Sequence, residues 1–184
     1  MNDELIRLRH KIDWVSSCAL RYHNRRRTFL DKLARLDPAI TLISGGTTFG
    51  ALAAKEPDLA QVFAATTAIL SALSLSFGFS DRAQEHRDLY RRWAALRADL
   101  AKVKPSDEDG LRRLDAELEM IGGDTPGQME VLSVVVENEE RASRGSVGHC
   151  RVFWYQRFFA PLISLPPFNF PEQCAAPPPP IPAE

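Results

Sequence analysis

Charge is missing from two neighbouring stretches of this chain, Pro38 to Ala54 and Leu59 to Ser80, which are 17 and 22 residues long. Only Lys55-Glu56-Pro57-Asp58 separates them. Cysteine is scarce. Cys18, Cys150 and Cys174 are odd in number and far apart, which argues against a disulfide framework and a CxxC metal site and predicts free, mostly buried thiols in a reducing compartment. There is no glycine-rich phosphate loop behind a strand pattern, no nucleophile elbow and no HExxH pair. The chain therefore reads as a non-enzyme, with no catalytic, cofactor or metal residue expected. A secretory leader is absent from the reading too, because charge persists through the first 37 residues. The short run Arg25-Arg26-Arg27 has no aromatic interleaving, so no nucleic-acid partner is expected.

What is present favours helices. Leu5, Leu8, Ile12, Val15, Ala19, Tyr22, Arg26, Phe29, Leu33 and Leu36 alternate by three and four, a heptad seam broken only at Arg26. Asp37-Pro38 is expected to end that helix and start another, since the residue before proline avoids helical backbone and proline suits the first helical position. His86, Tyr90, Trp93, Leu96, Leu100 and Val103 continue a similar seam with no glycine or proline from Asp81 to Lys104. One unbroken rod from the second uncharged stretch to about Val103 is the expectation, zipped against the first helix as an antiparallel stalk.

About 20 apolar residues cross a bilayer, and the second stretch is long enough. The first is shorter and diluted by Thr41, Ser44, Gly45, Gly46, Thr47 and Thr48. Arg21, Arg25, Arg26, Arg27, Lys32 and Arg35 stand before the pair, and Arg82, Arg87, Arg91, Arg92 and Arg97 after it. By the positive-inside bias this predicts a two-transmembrane helical hairpin in a bacterial inner membrane with both termini cytoplasmic. The lipid bilayer is then a partner, and Arg25, Arg26 and Arg27 face its headgroups. The competing reading is a soluble helical bundle with the hairpin as its core.

Small residues recur every four positions at Ala60, Ala64, Ala68, Ala72, Ser76 and Ser80, and at Gly46, Gly50 and Ala54. Such stripes let helices approach closely. They are expected to pack within the hairpin or against another copy, making a homo-oligomer. In the second case Thr47, Thr48, Thr66 and Thr67 line a weak point.

The domain reading follows. Residues 1–104 form the hairpin and stalk, with spans at about 38–54 and 59–80. Residues 105–165 hold small helices, expected at 107–121 and from Pro126 to about Ser143, and an aromatic juxtamembrane segment. That segment, Arg151 to Leu165, is read either as an interfacial foot or as capping of the bundle. Residues 166–184 form a proline-rich, disordered tail. Glu137, Glu139 and Glu140 read as a solvated helix face. His23 and His86 flank the hairpin and read as seam histidines rather than a metal or pH-sensing pair.

Arg21-Tyr22-His23-x-x-Arg26 with Phe29, the small-residue hairpin, Phe79-Ser80-x-Arg82-Ala83-x-x-His86 and Leu89-Tyr90-x-x-Trp93 together resemble the SLATT family of bacterial two-transmembrane helical proteins, and similar prophage proteins. The resemblance covers roughly residues 15–104. It implies a membrane-perturbing or pore-forming effector acting by helix oligomerisation, with a cytoplasmic sensor or nucleotide-signalling partner. The alternatives are a non-enzymatic membrane scaffold and a soluble helical-bundle adaptor.

Overall fold

In the computed structural model, residues 3–53, 55–146, 150 and 152–161 are described, with side chains at 36, 37, 40, 41, 44, 53, 70 and 73–77 outside the description. The described residues form six helices and no strand: α1 (Asp3–Ala53), α2 (Pro57–Phe77), α3 (Phe79–Lys102), α4 (Glu108–Asp124), α5 (Glu130–Ser143) and α6 (Trp154–Phe159). The fold is all-α. The chain divides into unit 1, residues 1–25 and 87–184, and unit 2, residues 26–86.

Unit 1 is built on the seam. Ile12, Ala19, Trp93, Leu96 and Leu100 are buried together with Leu111, Leu114, Leu118 and Ile121 of α4. Polar pairs give the helix directions. Arg9 donates to the carbonyls of Val103 and Leu100 while Asp13 pairs with Arg97, so this part of α3 runs antiparallel to α1. Lys11 reaches Asp115 and Glu119 near the middle of α4. Tyr22 meets Met129 and Asp13 meets Arg144, so α5 is also antiparallel to α1. Four helices in short-loop succession around apolar faces are a stable bundle solution. Burying each large apolar side chain contributes about 1.5–3 kcal/mol.

The start of α4 has a specific signal. Asp107 accepts from the Gly110 N–H at 3.0 Å, satisfying one otherwise orphaned donor. An added Cβ at Gly110 would stand 2.6 Å from the Asp107 carboxylate, so the cap and the glycine fit as a pair. The helix runs through Gly122 and Gly123 to Asp124, past the expected stop at residue 121. It ends where Thr125 folds its N–H back to Gly122.

Unit 2 corrects several expectations. α1 does not end at Asp37; it carries Pro38 inside it. Proline removes one i to i−4 bond and crowds the carbonyl of Ala34, a local penalty of about 3 kcal/mol that the surrounding helical turns absorb. α1 ends instead at a Schellman-type cap. Lys55 donates to Leu52 and Glu56 to Ala51, with Lys55 at φ +61°. Pro57 then occupies the first position of α2. The expected single rod after residue 59 is broken at Gly78, where φ is +54°. Helices α2 and α3 are separate elements because only that left-handed residue joins them.

The membrane reading is overturned. Among the described residues no helix is long and apolar enough to cross a membrane. The two-transmembrane hairpin, the inner-membrane location with cytoplasmic termini, the pore-forming effector and the bilayer partner therefore fall as a set. The physical reason is dilution. In the first arm glycine and hydroxyl residues interrupt Leu42, Ile43, Phe49 and Leu52. In the second, Gln61, Thr66, Thr67 and Ser71 do the same, while Leu70, Leu73, Leu75 and Phe77 lie outside the described side chains.

Candidate functional site

Two places take up the residues singled out in the sequence: the charged face of unit 1 and the uncharged arms of unit 2. In unit 1, Arg21 and Arg25 are not lipid-facing. Arg21 Nε donates to Glu140 Oε2 at 2.7 Å, and Arg25 pairs with Glu139, which also meets Arg157 at 3.3 Å. Glu140 is buried, contrary to the reading of a solvated acidic face. Its second oxygen accepts from Arg144 Nε at 2.8 Å, and Arg144 Nη2 continues to Asp13 at 2.7 Å. Arg144 also lies over the Trp14 ring, 5.2 Å from its centroid. A carboxylate held between two guanidinium groups keeps its charge inside the bundle. Removing one partner of a buried pair typically costs 3–5 kcal/mol.

Tyr22 and His23 are buried and meet edge to face, 5.3 Å between ring centroids. The Tyr22 hydroxyl accepts from the Met129 N–H at 3.0 Å. Cys18, half-buried below Glu140 and Glu137, has its thiol pushed up to about 12, chiefly by burial and then by those carboxylates. It stays protonated near neutrality and is a poor nucleophile. Cys18 is a free thiol. Cys150 is disulfide-bonded, which corrects the expectation of three free thiols. The Asn138 side chain fixes the Cys150 backbone on both sides, donating to its carbonyl at 2.8 Å and accepting its N–H at 2.9 Å.

In unit 2, Arg26 and His86 are buried partners, with Arg26 Nε donating to His86 Nε2 at 3.2 Å. Burial, with Arg26 and Arg82 nearby, lowers the His86 pKa from 6.5 to about 4. The ring is therefore neutral at pH 7, which its acceptor role at Nε2 requires. Arg26 closes the seam as a hydrogen-bonded plug instead of facing headgroups. Arg27 is half-buried. His23 belongs to unit 1 and His86 to unit 2. Among the described residues no cluster of three or more acidic, histidine or cysteine side chains is arranged to hold a metal.

The arms of unit 2 present their apolar side chains outward. Leu42 is 77% exposed, Phe49 76% and Ile43 68%, with Leu52, Leu59, Val62 and Ile69 all more than half exposed. The small-residue positions do not pack as a hairpin seam. An added Cβ at Gly46 or Gly50 would meet nothing within 4 Å, and Ala64, Ala68 and Ala72 are exposed. Only Ala60 of the stripe is buried; Ala54 and the Ser76 side chain lie outside the description. The threonines do not form a polar lining through their hydroxyls. Thr66 and Thr67 bond the carbonyls of Val62 and Phe63 in their own helix, each at 2.8 Å.

A smaller aromatic patch lies on α6 in unit 1, where Phe153, Trp154 and Phe158 are exposed while Gln156 and Ala160 are buried. The sequence reading missed the charge pairing of α5 with α1, because nothing local links residues more than a hundred positions apart. The proline-rich tail at 166–184 lies outside the described residues. No protein-family model, curated protein or solved structure matches the chain.

Proposed function

We propose that this chain is a non-catalytic helical-bundle adaptor that joins a second copy of itself through the uncharged arms of unit 2. The outward display of Leu42, Ile43, Phe49, Leu52, Leu59, Val62 and Ile69 carries the reading. Single exposed apolar residues are ordinary, but a contiguous set of this kind marks an interaction surface.

The occupant follows from chemistry. Neither arm holds a charge, so a charged or hydrated partner would be desolvated there without compensation. The same arm on another copy is an uncharged apolar match, and like surfaces pair by two-fold symmetry. Exposed Gly46, Gly50, Ala64, Ala68 and Ala72 favour it further, because interaxial distance falls with the size of the contact residues. Unit 1 remains free as the folded module that the association brings together.

Sedimentation equilibrium of the full chain over the micromolar range tests the reading. Wild type should sediment as a dimer or larger, and the double variant Leu42→Asp, Phe49→Asp as a monomer with unchanged helix content. A wild type that is monomeric throughout sinks the proposal, as does a double variant that associates equally well. Uptake into phosphatidylglycerol vesicles in place of self-association would also overturn it.

A further inference from the structure

Unit 1 contains a cavity that its bundle does not fill. It measures about 380 Å³ and lies among α1, α3, α4 and α5. Trp14, Tyr22 and Trp93 supply aromatic walls, Leu118 and Val136 aliphatic ones, and Glu137 a carboxylate. That volume sits at the small end of ligand pockets, and an apolar lining with a few polar groups is their usual composition. Elsewhere the same bundle is tightly closed, with Ile12, Leu96, Leu111 and Leu114 fully buried. An empty space in such a core lowers stability in proportion to its volume.

Two polar features define what would fit. Trp93 is 3% exposed, yet its indole Nε1 has no hydrogen-bond partner among the described residues. A buried donor in that state costs about 1–3 kcal/mol, which a ligand acceptor would relieve. Glu137 is half-buried, 3.8 Å from Arg141, and burial raises its carboxyl pKa. It would gain from a donor brought beside it. The cationic lining group, Lys11, is already held by Asp115 and Glu119. No free positive charge in the lining therefore invites a phosphate or carboxylate, and Glu119 and Glu137 repel one.

We infer that this cavity binds a flat, uncharged or cationic heteroaromatic amine, whose ring nitrogen accepts from Trp93 Nε1 and whose amino group donates to Glu137. The ring system lies against Trp14 and Tyr22, where aromatic stacking adds about 0.5–1.5 kcal/mol beyond buried area. Two fused rings suit the volume; a dinucleotide exceeds it. The site belongs wholly to unit 1 and is independent of association through unit 2.

The test uses two bicyclic probes of similar shape, 4-aminoquinazoline and quinoline-4-carboxylate, titrated into the full chain by calorimetry. The three indole N–H signals are followed by ¹⁵N NMR and assigned with Trp93→Phe. The amine should bind and move the Trp93 N–H resonance, and the carboxylate should bind at least ten times more weakly. Trp93→Phe keeps the ring and loses the donor; Glu137→Gln keeps the shape and loses the charge. Each should weaken the amine about tenfold, the effect of one lost hydrogen bond. Glu137→Gln should also narrow the preference over the carboxylate. If Trp93→Phe alters the fold by circular dichroism, Glu137→Gln decides alone. No binding of the amine at millimolar concentration overturns the inference. Equal binding of both probes, or unchanged binding in a folded variant, does the same.

Discussion

Units 1 and 2 hold apolar residues of the same kinds and use them in opposite ways. Unit 1 turns Ile12, Leu96, Leu114 and Val136 inward and covers them with paired charge, as where Arg21 and Arg144 grip Glu140. Unit 2 turns Leu42, Ile43 and Phe49 outward and has no charge along its arms with which to cover them. A seam is satisfied by a partner helix in the same chain only when that partner exists at the right register. α1 has one in unit 1, where α3 and α4 meet it. Its uncharged arm is left exposed, and an exposed arm of this kind is completed from outside the chain. The comparison is therefore between a self-sufficient core and a surface awaiting its complement.

The largest test of that contrast is apolar truncation on both sides. Leu114→Ala should cost 2–5 kcal/mol of unit 1 stability through lost burial and the cavity left behind. Leu42→Ala, measured at a dilution where copies are apart, should change stability by less than about 0.5 kcal/mol. Urea unfolding of both variants gives the two numbers. Similar losses would mean that the arms are packed in solution and would break the contrast.

A smaller effect concerns the one polar knot of unit 2. His86 has a folded pKa lowered from 6.5 to about 4 by burial and by Arg26 and Arg82. The folded state thus binds fewer protons than the unfolded state between those values. Stability from the neutral ring is complete above pH 6.5 and is lost as pH falls toward 4. Hydrogen exchange around residues 79–86 should accelerate over that window in wild type. His86→Leu, which cannot take up a proton, should lack this component. An identical pH profile in both proteins would remove His86 from the account.

The smallest effect is at the tip between the arms. Lys55 sits at φ +61°, a region costly for a side chain bearing Cβ. Lys55→Gly should stabilise by about 0.5–1 kcal/mol in thermal or urea unfolding, after allowing for the greater freedom of glycine in the unfolded chain. A loss of stability would show that the lysine side chain contributes more than its backbone costs.

The all-helical class was legible, and so was much of the inward face. Ile12, Ala19 and Tyr22 fall on the three-four pattern of α1, and Trp93, Leu96 and Leu100 on that of α3. Periodicity records which face a helix hides, so such positions can be read without coordinates. Punctuation was read less well. Pro38 was weighted as a stop although α1 continues through it, and Gly78 was passed over although it divides α2 from α3. Both outcomes depend on flanking turns that a single residue does not reveal. Charge absence was over-read. A run without charge says only that water is not preferred along it, and either lipid or protein can meet that condition. The grip on Glu140 was not readable, because its partners stand 119 residues earlier and four residues later on two different helices. The cavity beside Trp93 had no sequence signal, since empty space is a property of how four helices fail to meet.

The bond from the Met129 N–H to the Tyr22 hydroxyl has a temporal consequence. Met129 offers no side chain to cap α5, so the donor at the start of that helix is satisfied by a residue 107 positions earlier. During synthesis the phenol exists long before the segment that needs it, and α5 lacks this contact until the chain has returned to α1. The helix that supplies Glu139 and Glu140 thus becomes fully formed only as the bundle closes, which makes its first turn a clock for the last step of folding.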